Sequence, residues 1–150
     1  MAILQSNYTD QVAPGYPGLV VNAETKNIIS RTVEDSAGVA FGKAAFRGAN
    51  DHGCTATPTA GKLLGIVRDH EALSPIAGGA ADTFPQNATA PIVTLGVIWV
   101  LAAATVAPGD QAYVTSAGAF TNSSSGNTIL PGWFFDTTAA SGALVKLAKR

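Results

Sequence analysis

Read from its N-terminus, the chain alternates short apolar runs with turn residues and shows almost no helical periodicity. Leu19-Val20-Val21 and Asn27-Ile28-Ile29-Ser30-Arg31-Thr32-Val33 predict strands, separated by the turn-like Asn22-Ala23-Glu24-Thr25. In the second strand Ile29, Arg31 and Val33 share one face, and Ile28, Ser30 and Thr32 share the other. A turn at Asp35-Ser36-Ala37-Gly38 leads into Val39-Ala40-Phe41-Gly42 and Ala45-Phe46-Arg47-Gly48. Gly42, inside this pattern, signals a bulge or a close backbone approach. Residues 49–62 read as a long polar loop, and Leu63-Leu64-Gly65-Ile66-Val67-Arg68 as the next strand. Residues 70–91 predict no definite element, with a flexible loop tip at 76–82.

The strongest pattern is Ile92-Val93-Thr94-Leu95-Gly96-Val97-Ile98-Trp99-Val100. Its odd positions are wholly apolar and its even positions nearly so. A small antiparallel sheet normally turns a polar face to water, so this strand is either central or covered by another chain. Ala107-Pro108-Gly109-Asp110 then makes a tight turn into Gln111–Thr115, and Ser116-Ala117-Gly118 turns again into Ala119-Phe120-Thr121, a hairpin signal. After a Ser-rich loop at 122–127, Ile129-Leu130 passes through Pro131-Gly132 into Trp133-Phe134-Phe135-Asp136. Ala143–Leu147 closes the series. Gly, Thr and Val interrupt every helical window, leaving room for single turns near Ser74–Ala81 or Ser141. The expected fold class is all-β, a compact barrel or sandwich of short antiparallel strands without internal repeats.

Residues 1–17 stand apart. They carry Pro14 and Pro17 and no periodicity, which predicts an extended N-terminal arm ahead of a single β-rich domain spanning 18–150. A structureless arm gains nothing from Tyr8 and Tyr16 unless they dock somewhere. Trp133-Phe134-Phe135 are either buried on both faces of their strand or expose a ring to a partner. Candidate partner- or subunit-contact residues are therefore Tyr8, Pro14, Tyr16, Pro17, Trp133 and Phe134, while Trp99 reads as core.

Composition narrows the function classes. A chain of 150 residues fits one domain, which at this size buries about 68–70% of its unfolded surface. Charged residues make up 13%, about half the ~25% usual for soluble domains. Such a surface is either covered with Ser, Thr, Asn and Ala or hidden in contacts with other chains. The net charge is −1 and no basic stripe occurs, so no nucleic-acid partner is expected; Lys146, Lys149 and Arg150 read as a solvated tail. Cys54 is the single cysteine, which leaves no intrachain disulfide and no argument for an oxidising compartment. The polar opening residues predict no signal peptide, so no secretory context is expected for Asn-x-Ser/Thr at Asn7, Asn87 and Asn122. The uncharged stretch from Thr83 to Gly109 holds an apolar run shorter than the roughly 20 residues of a spanning helix, and no membrane partner is expected.

Chemistry is sparse. Asp51-His52-Gly53-Cys54 and Arg68-Asp69-His70-Glu71 supply metal-ligating residue types without paired ligand spacing, so no metal or other cofactor is expected. Gly61-Lys62 is not a phosphate loop, because Ala56 and Leu63 stand where Gly and Ser or Thr belong. Glu34 and Asp35 are adjacent, point to opposite faces and flank a turn. A hydrolase using Cys54 or His70 is a formal alternative.

The ordered succession of segments carries a resemblance. Asn7-Tyr8-Thr9-Asp10, Gly18-Leu19-Val20-Val21-Asn22, Asn27 through Glu34 and Gly38-Val39-Ala40-Phe41-Gly42-Lys43-Ala44 resemble the structural cement, or head decoration, proteins of tailed bacteriophages. The likeness continues through Leu64–Asp69, Gly96–Val100, Pro108–Val114 and Asp136–Lys146. It implies a non-enzymatic virion protein with no catalytic residues, made in the bacterial cytoplasm and bound to the outer capsid surface. Its partners would be the major capsid protein, bridged between neighbouring capsomers against internal DNA pressure, and further copies of itself. Shell symmetry favours a trimer first and a dimer second. The competing reading is a β-barrel binding module for carbohydrate or another small ligand, with Trp133 as stacking platform.

Overall fold

The computed structural model describes residues 14–21, 23–70 and 80–150, which form strands and turns and no helix. The strands are β1 (Asn27–Val33), β2 (Val39–Ala40), β3 (Ala44–Arg47), β4 (Gly53–Thr55), β5 (Leu63–Val67), β6 (Thr83–Phe84), β7 (Thr89–Leu101), β8 (Gln111–Val114), β9 (Phe120–Thr121), β10 (Thr128–Phe135) and β11 (Leu144–Lys149).

Five of them close a small barrel. β1 pairs with β4 in parallel, and β4–β3, β3–β5, β5–β7 and β7–β1 follow as antiparallel pairs that return to the start. One apolar cluster draws Val33, Cys54, Ala45, Val67 and Ile92 from the five strands in turn, which places it inside the barrel. Small residues at three positions of the lining (Ala45, Cys54, Ala90) suit so narrow a bore. β2 and β6 pair with each other through Val39 and Phe84, both part of this cluster.

The second half of β7 leaves the barrel and founds another sheet. It pairs with β11 from Leu101↔Leu144 to Gly96↔Lys149, and β10, β8 and β9 follow. Phe120 at the far edge comes back to bridge Ala102, so this sheet curls around its own core of Ile98, Val100, Leu130, Trp133, Phe135 and Leu147. Ala44, Phe46, Ile66 and Val93 on the barrel's outer wall belong to that same core. β3, β5 and β7 are thus apolar on both sides because each separates two cores, and the strand expected to be central or covered is central.

The alternation expected along Ile92–Val100 does not run unbroken. β1 pairs Ile28 with Val93 but Asn27 with Leu95, so β7 carries one extra residue there. An extra residue flips every side chain beyond it. Val93 consequently shares a core with Ile98 and Val100 rather than with Trp99. Sequence could not locate the flip, because both parities are apolar.

Three expectations need correction. The loop at 49–62 contains β4, the strand that closes the barrel, and residues 70–91 contain β6 and the first residues of β7. Glu34 and Asp35 fix the loops beside β4. Glu34 accepts hydrogen bonds from the Ala49 and Asn50 amides at 2.7 and 2.9 Å and from Asn50 Nδ2 at 2.9 Å. A Cβ at Gly53 would lie 1.6 Å from Glu34 Oε1, so that position must be glycine for the carboxylate to fit. Asp35 accepts from Thr55 Oγ1 at 2.7 Å and the Ala56 amide at 2.6 Å. The tail is not merely solvated either. Lys146 and Lys149 lie in β11, and Arg150 bonds Glu24 (Nε–Oε2 2.9 Å) and Asp136 (Nη1–Oδ1 3.1 Å) above the Phe134 ring.

Candidate functional site

The feature with most to offer a partner is the place where the N-terminal segment meets the body. Val20 bridges Ile98 in antiparallel fashion, and the amides of Gly18 and Val21 donate to Trp99 O and Val97 O at 2.8 and 3.0 Å. The Trp99 amide donates in return to Leu19 O at 2.9 Å. Residues 18–21 thereby cover the edge of β7 that the barrel has abandoned, an edge that would otherwise present unpaired backbone groups.

Before Gly18 the chain turns, with the Leu19 amide donating to Tyr16 O, and crosses the sheet. The crossing is tight. Gly18 (φ +92°) and Gly42 (φ +67°) face each other so closely that a Cβ on Gly42 would lie 2.8 Å from Gly18 N and 2.7 Å from Pro17 Cβ. Gly42 therefore marks a close backbone approach, one of the two outcomes its place in the sequence pattern signals. Tyr16, 45% exposed, donates its hydroxyl to Asp69 Oδ2 at 2.5 Å. Asp69 is itself buried, accepts from Arg68 Nε at 3.3 Å, and sends its amide to Gly18 O at 3.0 Å. Gly15 lies on the indole of Trp99, too close for any side chain of its own. Tyr16 and Pro17 also line an open cleft with Ala40, Phe41, Ala81 and Asp82.

The six candidate contact residues are thus scattered. Pro14, Tyr16 and Pro17 cluster at this crossing, with Pro14 exposed and Pro17 partly buried. Tyr8 lies outside the described residues. Trp133 is fully buried in the second core, so its ring faces neither a partner nor a ligand in this chain. Phe134 is partly covered, its ring capped by the Arg150 guanidinium at 5.6 Å. Of the aromatic triplet, Trp133 and Phe135 are fully buried on one face of the strand, and Phe134 on the other face is partly covered. Sequence reading missed Asp69, Gly15 and Trp99 as parts of the crossing. The paired glycines were visible, but nothing in a linear pattern says which glycine meets which.

Cys54 has no exposed surface, and burial, followed by the nearby Asp35 and Glu34 charges, pushes its thiol up to about 11. Such a group is a thiol at neutral pH, not the thiolate a nucleophile requires. His70 lies edge-on to Phe84 at 6.5 Å between ring centres. Among the described residues no group of three or more His, Cys, Asp or Glu side chains could hold a metal ion.

Comparison with known proteins adds three findings. The family model described as structural cement protein (E217 gp24/Pam3 gp6) matches residues 4–149. A chain in a solved structure described as the capsid of Myoviridae phage XM1 shares the fold, with a TM-score of 0.69 at 18% identity over 94% of this chain and 93% of that one. The head fiber gp8.5 N base of bacteriophage phi29 gives a TM-score of 0.46 at 15% identity over 84% of this chain and 95% of its own. No curated protein matches.

Proposed function

The chain belongs to the structural cement protein family, and from that premise we propose that it decorates the outer surface of a tailed-phage capsid and bridges neighbouring capsomers through its N-terminal arm. Its role is that of a virion structural protein, with capsid protein as partner. The match along residues 4–149 carries this reading. The strap that ties the arm to the body supports it mechanically: an arm transmits load only if its root is fixed, and three antiparallel backbone hydrogen bonds together with the Tyr16–Asp69 bond fix this one. Modest contacts suffice in such a role, since copies repeated on a lattice multiply a weak individual affinity. In this reading copies associate around local symmetry positions, as a trimer before a dimer, and the arm reaches capsid protein or a sister subunit.

The test is addition of purified protein to matching capsids that lack it. Saturable binding with a raised capsid melting temperature is expected, and deletion of residues 2–13 should weaken binding at least tenfold. Full decoration by the truncated protein would remove the arm from the account, and no binding at all by the complete chain would remove the decoration role.

A further inference from the structure

We propose that the end of the five-stranded barrel that carries Arg31 and Arg47 is a carboxylate-binding site, and that its occupant is an acidic side chain of the capsid protein. The identity of that partner rests on the decoration reading; the chemistry of the site does not.

Along β1, Ile29 and Val33 pack into the barrel's interior, and Arg31 between them has the same parity. Its register partner on β7 is Ala90, another residue of the interior. Burial raises the Cys54 thiol, and the Arg31 charge is close enough to oppose that rise. The small side chains of Ala45, Cys54 and Ala90 leave room there for an arginine stem. A cation on the inner wall of a narrow barrel is costly unless it is paired. Arg31 is not. Its Nη1 donates to the carbonyl of the preceding residue, Ser30 O, at 2.8 Å, while Nε is shut from solvent without an acceptor. The guanidinium edge formed by Nε and Nη2 is thus left open, and such an edge matches the two oxygens of a carboxylate.

Barrel closure brings further cations to the same end. Arg47 pairs with Cys54, so its exposed side chain leaves β3 on the inner face, two residues past Ala45. The Arg47 amide donates to Lys62 O at 2.8 Å, which sets Lys62 alongside at the start of β5. Among the described residues, none of these three cations forms an ion pair. The carboxylates nearest Cys54 are engaged elsewhere, Glu34 with the Ala49 and Asn50 amides and Asp35 with Thr55 and Ala56. Asp51, exposed in the turn into β4, offsets one of the three charges. Cations gathered at one point suit a single carboxylate, whereas a nucleic-acid backbone calls for a basic stripe. An incoming carboxylate would supply the acceptor that Nε lacks and pair a charge that the folded chain leaves unpaired.

The site can be read without capsids. A tetraglutamate peptide titrated into the full chain should shift the Arg31 Nε–H resonance saturably. Arg31→Lys keeps the charge and loses the fork, and should weaken the peptide about tenfold. Arg31→Met should weaken it as much while melting no lower than the native protein, because it keeps the stem and removes an unsatisfied buried donor. A melting temperature that falls in both variants would make Arg31 a structural residue and overturn the proposal. So would an Nε–H resonance indifferent to the peptide, or one that responds more tightly to inorganic phosphate or a DNA oligonucleotide. On capsids, both variants should bind about tenfold more weakly than the native chain; undiminished binding would overturn the capsid protein as occupant. If the native chain decorates no capsid yet binds the peptide, decoration fails and the carboxylate site stands.

Discussion

The Tyr16 hydroxyl and Asp69 Oδ2 lie 2.5 Å apart, a side-chain bond that spans 53 positions and ties the arm's root to the end of β5. Asp69 is 5% exposed, so its carboxyl depends on protein donors in place of water. Tyr16→Phe keeps the ring in its cleft and removes this donor. A loss of about 1–3 kcal/mol is expected, read as a lower urea midpoint at unchanged slope. An unchanged midpoint would show that the bond adds nothing to holding the root.

Gly42→Ala should be worse than an ordinary glycine replacement. The left-handed backbone alone costs an L-residue roughly 1–2 kcal/mol. The added methyl would also press on Pro17 Cβ and Gly18 N, which can move only if the strap lifts from β7. Gly109 is the matched control, with φ +90° and nothing within 4 Å of a built Cβ. Thermal melting of both variants should show the Gly42 change as clearly the larger, with faster exchange at the Gly18 and Val21 amides in that variant alone.

Two carboxylates set an acid limit. The Asn50 and Ala49 amides and the Asn50 side chain hold Glu34 below the usual range, and the Ala107 amide and Asn122 side chain do the same for Asp110. A carboxylate whose folded value is depressed contributes stability that is complete above its unfolded value and vanishes as pH falls through the folded one. The melting temperature should therefore be level above about pH 5 and drop below about pH 4, near the unperturbed carboxylate values. Glu34→Gln should lower the neutral-pH plateau and flatten the acid slope. An identical slope in that variant would assign the acid sensitivity elsewhere.

Cys54 should be inert in the native protein. With a buried thiol raised to about 11, a thiol reagent at pH 8 should label essentially nothing until denaturant is added, and then one equivalent. Rapid native labelling would mean that the barrel opens readily.

Most of the architecture was legible from alternation and turn chemistry. The Ala107–Asp110 turn closes as its residues suggest, with the Asp110 amide donating to Ala107 O and the Ala107 amide to Asp110 Oδ2. The 111–121 hairpin pairs Tyr113 with Thr121 and Val114 with Phe120. Barrel closure was not legible, because β4 is three residues long, flanked by polar loops, and owes its strand character to pairing with β1 and β3 rather than to its own pattern. Trp133 was ambiguous for a related reason. Consecutive aromatics look interface-like until a curled sheet wraps a second core around them. Arg150 looked like a free tail because its partners, Glu24 and Asp136, are 126 and 14 positions away.

The strap on β7 has a directional consequence. In antiparallel pairing the hydrogen bonds lie across the strands, so a pull along the strap's own axis strains the Gly18, Leu19 and Val21 bonds together, whereas a pull outward from the sheet breaks them one after another. Since β7 is common to both cores, tension taken in shear passes into the barrel and the curled sheet through one unbroken backbone.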